Sequence, residues 1–284
     1  MAARTGSTEE AFPPNWWARA AWLLFGLYVI YAASHLEFTP ARFVAGLEHG
    51  AKFVSRLFPP DFRRWELLVK GMVESLQIAV VASALGVLIS APLALLAARN
   101  LMPVWASWPA RAVMVLCRTF HPMIVAILFV KAVGFGALAG ILALTVASVG
   151  FLGKLMTEAI EEISLKQVEA VRATGAPFMS VVSYAVLPQV FSRFVGFISY
   201  ETDANLRNST MVGIVGAGGI GGTLFAAFQR FDYDFVSAIL ISIIALIMAG
   251  EVLATAVRRI FIDNATLRQL FRGGSPVHRP LDDD

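Results

Sequence analysis

Cysteine and charged residues are both scarce in this sequence. The one cysteine, Cys117, lies in an apolar stretch, so neither an intrachain disulfide nor a cysteine metal cluster can form. Only 15% of the 284 residues are charged, whereas about a quarter are charged in a typical soluble domain. The net charge of +3 is small, and we expect no nucleic-acid partner. These shortages exclude a disulfide-stapled domain and disfavour a soluble one.

Catalytic motifs are also missing. The four histidines are scattered, and neither H-E-x-x-H nor Gly-x-Ser-x-Gly occurs. His121 precedes Pro122, which favours a residue at a helix kink over a metal ligand. No Walker pattern is present, so this chain should not hydrolyse ATP. We therefore assign no catalytic residue and no metal ligand, and the sequence disfavours an intramembrane enzyme.

Long apolar runs dominate what remains. The hydrophobic share is 57% and the mean hydropathy is +0.69. A membrane helix needs about 20 mostly apolar residues. The sequence predicts an all-α, polytopic membrane protein with six membrane helices, the third interrupted at His121 and Pro122. Their expected bounds are about 19–34, 73–98, 112–133, 137–160, 190–215 and 235–257.

The remaining segments suggest a simple organisation. We expect a cytoplasmic tail at 1–18, a transmembrane domain at 19–262 and a cytoplasmic tail at 263–284. The segment between the first two spans is amphipathic and is expected along the membrane surface. Lysine and arginine favour a cytoplasmic amino terminus, but the bias is modest.

A glycine-rich run follows the fifth predicted span. Gly216, Gly218 and Gly221 have the spacing of a dinucleotide-binding turn, which requires a strand before it and a helix after it. A membrane span precedes them here, so that interpretation is rejected. Gly216, Gly218 and Gly219 are instead candidates for irregular backbone that lines a water-filled cavity. Close helix packing by small residues is the alternative.

Polar residues interrupt the fifth span itself. Helical spacing places Glu201, Asn205 and Asn208 on one face, and Asp203 can pair with Arg207. Ionisable groups cost about 3 kcal/mol or more at the bilayer centre, so they need partners or water. They either satisfy one another between helices or line a substrate pathway. For an anionic cargo, the lining best suited to it is Arg207 with Asn208, Ser209 and Thr210.

A polar loop at about 158–189 is the longest connection between the later spans. Its residues predict a short helix over about 165–174, which Gly175 ends as a C-cap and Pro177 keeps from continuing. A second, apolar segment then leads to Leu187 and Pro188. Periodicity alone predicts an exposed helix–turn–helix.

This loop resembles the E-A-A-x3-G-x9-I-x-L-P loop of ABC importer membrane subunits. Glu169, Ala170, Gly175, Leu187 and Pro188 match that pattern, whereas Val171 and Ala185 depart from it. The wider chain, above all "RNSTMVGIVGAGGIG", resembles the permease subunit of phosphonate-type ABC importers.

The resemblance implies a type I ABC importer permease fold in the bacterial cytoplasmic (inner) membrane. It implies two copies that form the path, a cytosolic ABC ATPase dimer docked on the coupling loop, and an extracytoplasmic substrate-binding protein. Membrane lipid surrounds the chain, and no cofactor is expected on it because ATP and Mg belong to the ATPase. The cargo would be phosphonate, phosphate or phosphite. The alternative is an ion-coupled secondary carrier, with Glu201, Asp203 and Glu251 as proton sites.

Overall fold

The computed structural model describes residues 16–36 and 40–272, and within these residues all regular secondary structure is helical. It divides into two units, residues 1–58 and 59–284. Parts of the predicted tails, 1–15 and 273–284, lie outside the described residues, and residues 263–272 continue the last helix.

The first unit contains α1 (Trp16–His35) and α2 (Pro40–Arg56). None of the described side chains of α1 is buried, and its length and composition suit a membrane span. The α2 helix is amphipathic, with apolar residues on one face and charged residues on the other. It ends before Pro59 and Pro60, which cannot continue a helix because proline lacks the backbone N–H.

The second unit contains the remaining helices: α3 (Trp65–Ala97), α4 (Val104–Thr119), α5 (Pro122–Val133), α6 (Ala137–Glu161), α7 (Leu165–Ala173), α8 (Phe178–Val181), a wide π turn (Val182–Val186), α9 (Leu187–Ile214), α10 (Ile220–Gln229) and α11 (Tyr233–Arg272). Five helical segments of the described residues are long and apolar enough to cross a membrane, and the pair α4–α5 supplies a sixth if it counts as one span. The prediction of about six spans is confirmed in this sense.

The third span differs from its prediction. The predicted interruption at His121 and Pro122 is confirmed, but the break is sharper than a kink, because the helices α4 and α5 meet at an angle of 91°. Pro122 begins α5, a position that proline favours because its missing N–H has no partner there. His121 caps the same helix: its Nδ1 accepts the backbone N–H of Met123 at 3.3 Å. His121, which the sequence predicts at a helix kink, therefore lies between α4 and α5 and caps the second of them.

The helices α3 and α6 form the centre of the second unit, and small residues allow their close approach. A side chain at Gly86 of α3 would meet the Cβ of Ser148 of α6 at 2.5 Å. Such small-residue contacts are the usual basis of helix association in membranes. The helices α9 and α11 pack beside this pair.

The second unit has two apolar clusters of buried residues, one toward each of its ends. One contains Met156, Val168 and Val190, and lies at the end we call the loop pole, formed by residues 97–111 and 158–193. The other contains Ile78, Leu144 and Ala217, and lies toward the glycine pole, formed by residues 61–75, 134–137 and 215–235.

Candidate functional site

The 158–189 loop folds as a short helix held against the loop pole. Val168 is 1% exposed and packs into the apolar cluster there, together with partly buried Val171. The helix α7 ends where predicted: Gly175 adopts φ +75° and its N–H donates to the carbonyl of Arg172 at 3.0 Å. Glycine adopts this left-handed conformation without steric cost.

The start of α9 anchors this loop. The side-chain amide of Gln189 donates to Ala185 O at 2.6 Å, and its Oε1 accepts the N–H of Ser164, the residue before α7, at 2.9 Å. Arg193 forms an ion pair with Glu162 at 2.5 Å. The loop is therefore connected through side chains to both α6 and α9.

The wide turn before α9 has a local cause. Pro188 lies in the first turn of α9, and its ring would clash with the carbonyl four residues earlier in a regular α-helix. The N–H of Leu187 bonds instead to the carbonyl of Val182, five residues back. The Leu-Pro pair of the sequence pattern thus begins the long helix and sets the path by which the loop enters it.

The residues matched to the importer pattern lie on the surface. Glu169 and Ala170 are exposed on α7, Gly175 is exposed at its end, and Leu187 and Pro188 are exposed at the start of α9. Val168 and Val171 turn the inner face of α7 toward the apolar cluster, so its outer face remains available to a partner.

Behind the polar face of α9 lies a buried hydrogen-bond cluster that joins three helices. Ser148 Oγ of α6 donates to Glu201 Oε1 at 2.6 Å. Asn205 Nδ2 donates to Ser148 Oγ at 2.8 Å and to Ser83 Oγ of α3 at 2.9 Å. Glu201 is 6% exposed and Asn205 1% exposed. Asn205 Oδ1 is buried without a partner among the described residues.

The opposite face of α9 carries the predicted ion pair. Arg207 Nη1 lies 2.5 Å from Asp203 Oδ2, which confirms that pairing. The Arg207 side chain is 42% exposed, whereas that of Asp203 is 13% exposed. Tyr200 and Met211 are exposed on the same stripe as Arg207; Tyr200 lies two turns before it and Met211 one turn after it.

The other candidate pathway residues differ in exposure. Ser209 is fully buried and its hydroxyl donates to Leu206 O at 2.7 Å. Asn208 and Thr210 are partly buried, and Thr210 Oγ1 has no partner among the described residues. Arg207 is thus the most accessible of the polar candidates on α9.

The glycine loop, residues 215–219, follows a helix and not a strand. Gly216, Gly218 and Gly219 have φ of +89°, +82° and +78°. Backbone and side-chain hydrogen bonds hold the loop: Gly136 N donates to Gly216 O at 3.0 Å, and Ile220 N donates to Ser75 Oγ at 2.9 Å. The loop packs closely against the ends of α3 and α6 that carry Ser75 and Ala137.

Sequence reasoning missed several partners of these groups. Ser83, Ser148 and Ser75 complete the polar contacts of α9 and the glycine loop, and Gln189 holds the 158–189 loop. Buried serines are common in apolar helices, so nothing in their spacing marks them. Among the described residues, no group of His, Cys, Asp and Glu side chains could hold a metal ion.

The fold places the chain among multi-pass transport permeases. Its structure is similar to the MetNI methionine ABC transporter in an inward-facing conformation, with a TM-score of 0.60 and 25% identity, covering 69% of this chain and 99% of that one. An amino acid ABC transporter solved with histidines shares the fold, with a TM-score of 0.57, 19% identity and coverage of 70% and 98%.

Relatives by sequence are also permeases. The chain is 38% identical to the phosphate-import permease protein PhnE of Mycolicibacterium smegmatis over 82% of this chain, but spans only 44% of that protein. It is 36% identical to the phosphite transport system permease protein PtxC of Stutzerimonas stutzeri, covering 89% of this chain and 93% of that one.

Residues 90–264 match the family of binding-protein-dependent transport system inner membrane components, and the chain belongs to this family. It is a multi-pass permease subunit of the cytoplasmic membrane and not an enzyme.

Proposed function

We propose that the chain forms the translocation path of an ATP-driven importer for phosphonate or a related phosphorus oxyanion, such as phosphate or phosphite. The printed functions of its relatives, phosphate import and phosphite transport, support this cargo class. The secondary-carrier alternative gains no support from the relatives or the fold.

The main observation behind the proposal is that α7 is packed on one side and exposed on the other. Its inner side is fixed by Val168, and its outer side exposes Glu169 and Ala170. Gln189 and the Glu162–Arg193 pair connect it to α6 and α9. A subunit that docks on α7 can therefore transmit motion to membrane-spanning helices, which is what coupling to an ATPase requires.

The proposal assigns sides to the two poles. A cytosolic ATPase can dock on α7 only if the loop pole faces the cytoplasm. The Lys and Arg counts do not decide between the poles, since the loop pole has five (Arg99, Arg111, Lys166, Arg172 and Arg193) and the glycine pole has four (Arg63, Arg64, Lys70 and Arg230). The loop pole is then cytoplasmic and the glycine pole extracytoplasmic. In this arrangement residues 19–262 form the transmembrane domain, and 1–18 and 263–284 form cytoplasmic tails.

The partners follow from this arrangement. A cytosolic ATPase dimer, which holds ATP and Mg, docks at the loop pole, and a substrate-binding protein delivers cargo to the glycine pole. A second copy of the chain covers the exposed stripe of Tyr200, Arg207 and Met211. That stripe carries a charge and cannot face lipid without a large cost, which supports a homodimer with the path between its copies.

Within the path, we assign cargo contact to Arg207, with Asn208 and Thr210 beside it. A guanidinium matches the oxygens of a tetrahedral phosphorus anion. Glu201, Asn205 and Ser209 support α9 from behind, since they are buried against α3 and α6 or bonded within the helix. Gly216, Gly218 and Gly219 shape the outer end of the path with backbone.

The docking role of α7 is tested by replacing Glu169 and Gly175 together. In vesicles that contain the permease, the ATPase and the binding protein, the variant E169K/G175V should lose at least tenfold of ATP-driven phosphonate uptake while inserting normally. The matched control is E48K/G46V on α2, where Glu48 is exposed and Gly46 faces open space. Uptake equal to that of the control would contradict the docking assignment.

The role of Arg207 is tested in the same vesicles. R207Q should lower the initial rate of phosphonate uptake about tenfold, equivalent to about 1.4 kcal/mol. R207K should keep part of the rate because it retains the charge but loses the bidentate fork. R56Q on α2 is the control for loss of one arginine. Unchanged uptake kinetics in R207Q would remove this residue from the path.

A further inference from the structure

A basic hollow lies between α4 and α6, apart from the residues assigned above to the path. Its volume is about 290 Å³, and its charged lining consists of Arg111, Arg118, Lys154 and Glu158. It occupies the half of these helices nearer the loop pole, because Glu158 and Lys154 belong to the last turns of α6.

The positive charges in this hollow are unequally compensated. Arg111 has a carboxylate partner: Nη2 lies 2.7 Å from Glu161 Oε1, and Nε donates to Ala97 O at 3.0 Å. Lys154 Nζ lies 3.4 Å from Glu158 Oε1, and both side chains are about half exposed. An ammonium group has three donors, and Lys154 has no partner other than Glu158 among the described residues. No carboxylate pairs with Arg118 in the part of the chain that the structure describes.

Arg118 is placed in the hollow by close packing. Its Cγ lies where a side chain of Gly150 would be, at 2.5 Å from the position of a Cβ. Gly150 lies about three turns from the end of α6, roughly 16 Å along the helix axis. Lys154 is one turn nearer that end, on the same face as Gly150. The two cationic side chains therefore project from neighbouring positions into one space.

With Glu161 as the partner of Arg111 and Glu158 as the partner of Lys154, the charge of Arg118 is left over in this lining, and an uncompensated charge at this depth needs water or an anion. An arginine fork and a lysine point charge together suit the oxygens of a phosphate-like group. Thr157 does not compete as a donor, since its hydroxyl is committed to Gly153 O at 2.7 Å.

We propose that this hollow binds a tetrahedral phosphorus oxyanion group through Arg118 and Lys154. Two sources share this chemistry: the headgroup of a membrane phospholipid, which can reach the hollow from its open side, and a free phosphate or phosphonate. The inference does not rest on the proposed cargo, because a lipid headgroup would bind regardless of what is transported.

The test measures thermal unfolding of the full-length permease, purified in detergent without its ATPase and delipidated. Dioctanoylphosphatidylglycerol, inorganic phosphate and methylphosphonate are titrated separately, with dioctanoylglycerol as the probe that lacks phosphate. At least one phosphorus ligand should raise the unfolding temperature saturably. The variant R118Q/K154Q should weaken its apparent affinity at least tenfold, whereas K52Q on exposed α2 should leave it unchanged.

The titrations also identify the source. A response to the lipid alone assigns the headgroup, and a response to phosphate or methylphosphonate assigns the free anion. The variant R118K/K154R should retain binding because it keeps both charges, and K154Q alone should weaken binding without loss of folding. Equal affinities in wild type and K154Q, or an equal response to dioctanoylglycerol, would overturn the proposal. Neither result depends on whether uptake occurs.

Discussion

Ser148 is the residue at which three membrane helices meet. Its hydroxyl donates to Glu201 and accepts from Asn205, which also contacts Ser83. Its Cβ fills the space left by Gly86. A larger residue at this position would separate α3 from α6, and an apolar one would remove the hydrogen bond of buried Glu201 and leave Asn205 with only its bond to Ser83.

The variant S148A should therefore destabilise the membrane domain. Hydrogen bonds between membrane helices contribute about 0.6 kcal/mol on average, but an unsatisfied buried polar group costs about 1–3 kcal/mol. We expect a loss of about 2 kcal/mol, measured as a lower unfolding temperature in detergent. The matched control is S90A, since buried Ser90 makes only a marginal bond of 3.5 Å to Val149 O. A melting temperature equal to that of S90A would show that the cluster does not stabilise the fold.

At the residue scale the sequence predicted the pair within α9 but not the contacts between helices. The charges of Asp203 and Arg207 are separated by one helical turn, so their pairing could be predicted from spacing alone. The partners of Glu201 and Asn205 could not, because they lie 53 and 122 residues away in sequence on other helices. Which serine of an apolar helix faces α9 depends on the packing of α3, α6 and α9 together.

The turn from α9 into α10 is the element in which glycine is most strictly required. A Cβ at Gly221 would collide with the carbonyl of Thr210, and one at Gly213 would lie 2.5 Å from Gly218 O. Backbone atoms cannot yield as flexible side chains do. The turn thus brings α10 back against α9 at a distance that no larger residue allows.

Two adjacent glycines offer a matched test of this requirement. G221A should destabilise the permease by about 1–3 kcal/mol, the usual cost of overpacking. A Cβ at Gly222 would lie 3.5 Å from Gly213 O, which is an ordinary van der Waals contact. The variant G222A should therefore be neutral or slightly stabilising, because alanine favours a helix. Unfolding temperatures of the two variants in detergent provide the comparison. Equal temperatures would mean that the close approach is not maintained in the protein.

Element prediction succeeded where hydropathy decides the outcome. The segments 137–160 and 235–257 agree with α6 and the apolar part of α11 because lipid-sized runs leave little choice. At the third span it located the break at His121 and Pro122 correctly but not the 91° angle between α4 and α5, since Pro122 suits both a kink within one helix and the first turn of a new one. The short helix α10 was not predicted, because ten residues after a glycine run resemble a loop.

The whole second unit is tied together at both poles. At the glycine pole Arg64 pairs with Asp232 at 2.6 Å and lies over the ring of Phe235. At the loop pole Asn100 donates to Ile160 O at 2.7 Å, and Glu161 accepts the N–H of Arg99 at 2.8 Å. With both ends fixed, a force applied to α7 should move the helices as a body and not bend the loop alone.

The most direct test of the central claim is phosphonate uptake into vesicles with and without the ATPase. The binding protein is supplied outside, ATP is supplied on the side of the 158–189 loop, and an ion gradient is imposed separately. The account predicts uptake only when the ATPase and ATP are both present, and no uptake from an ion gradient alone. Uptake driven by an ion gradient in vesicles that lack the ATPase would contradict it.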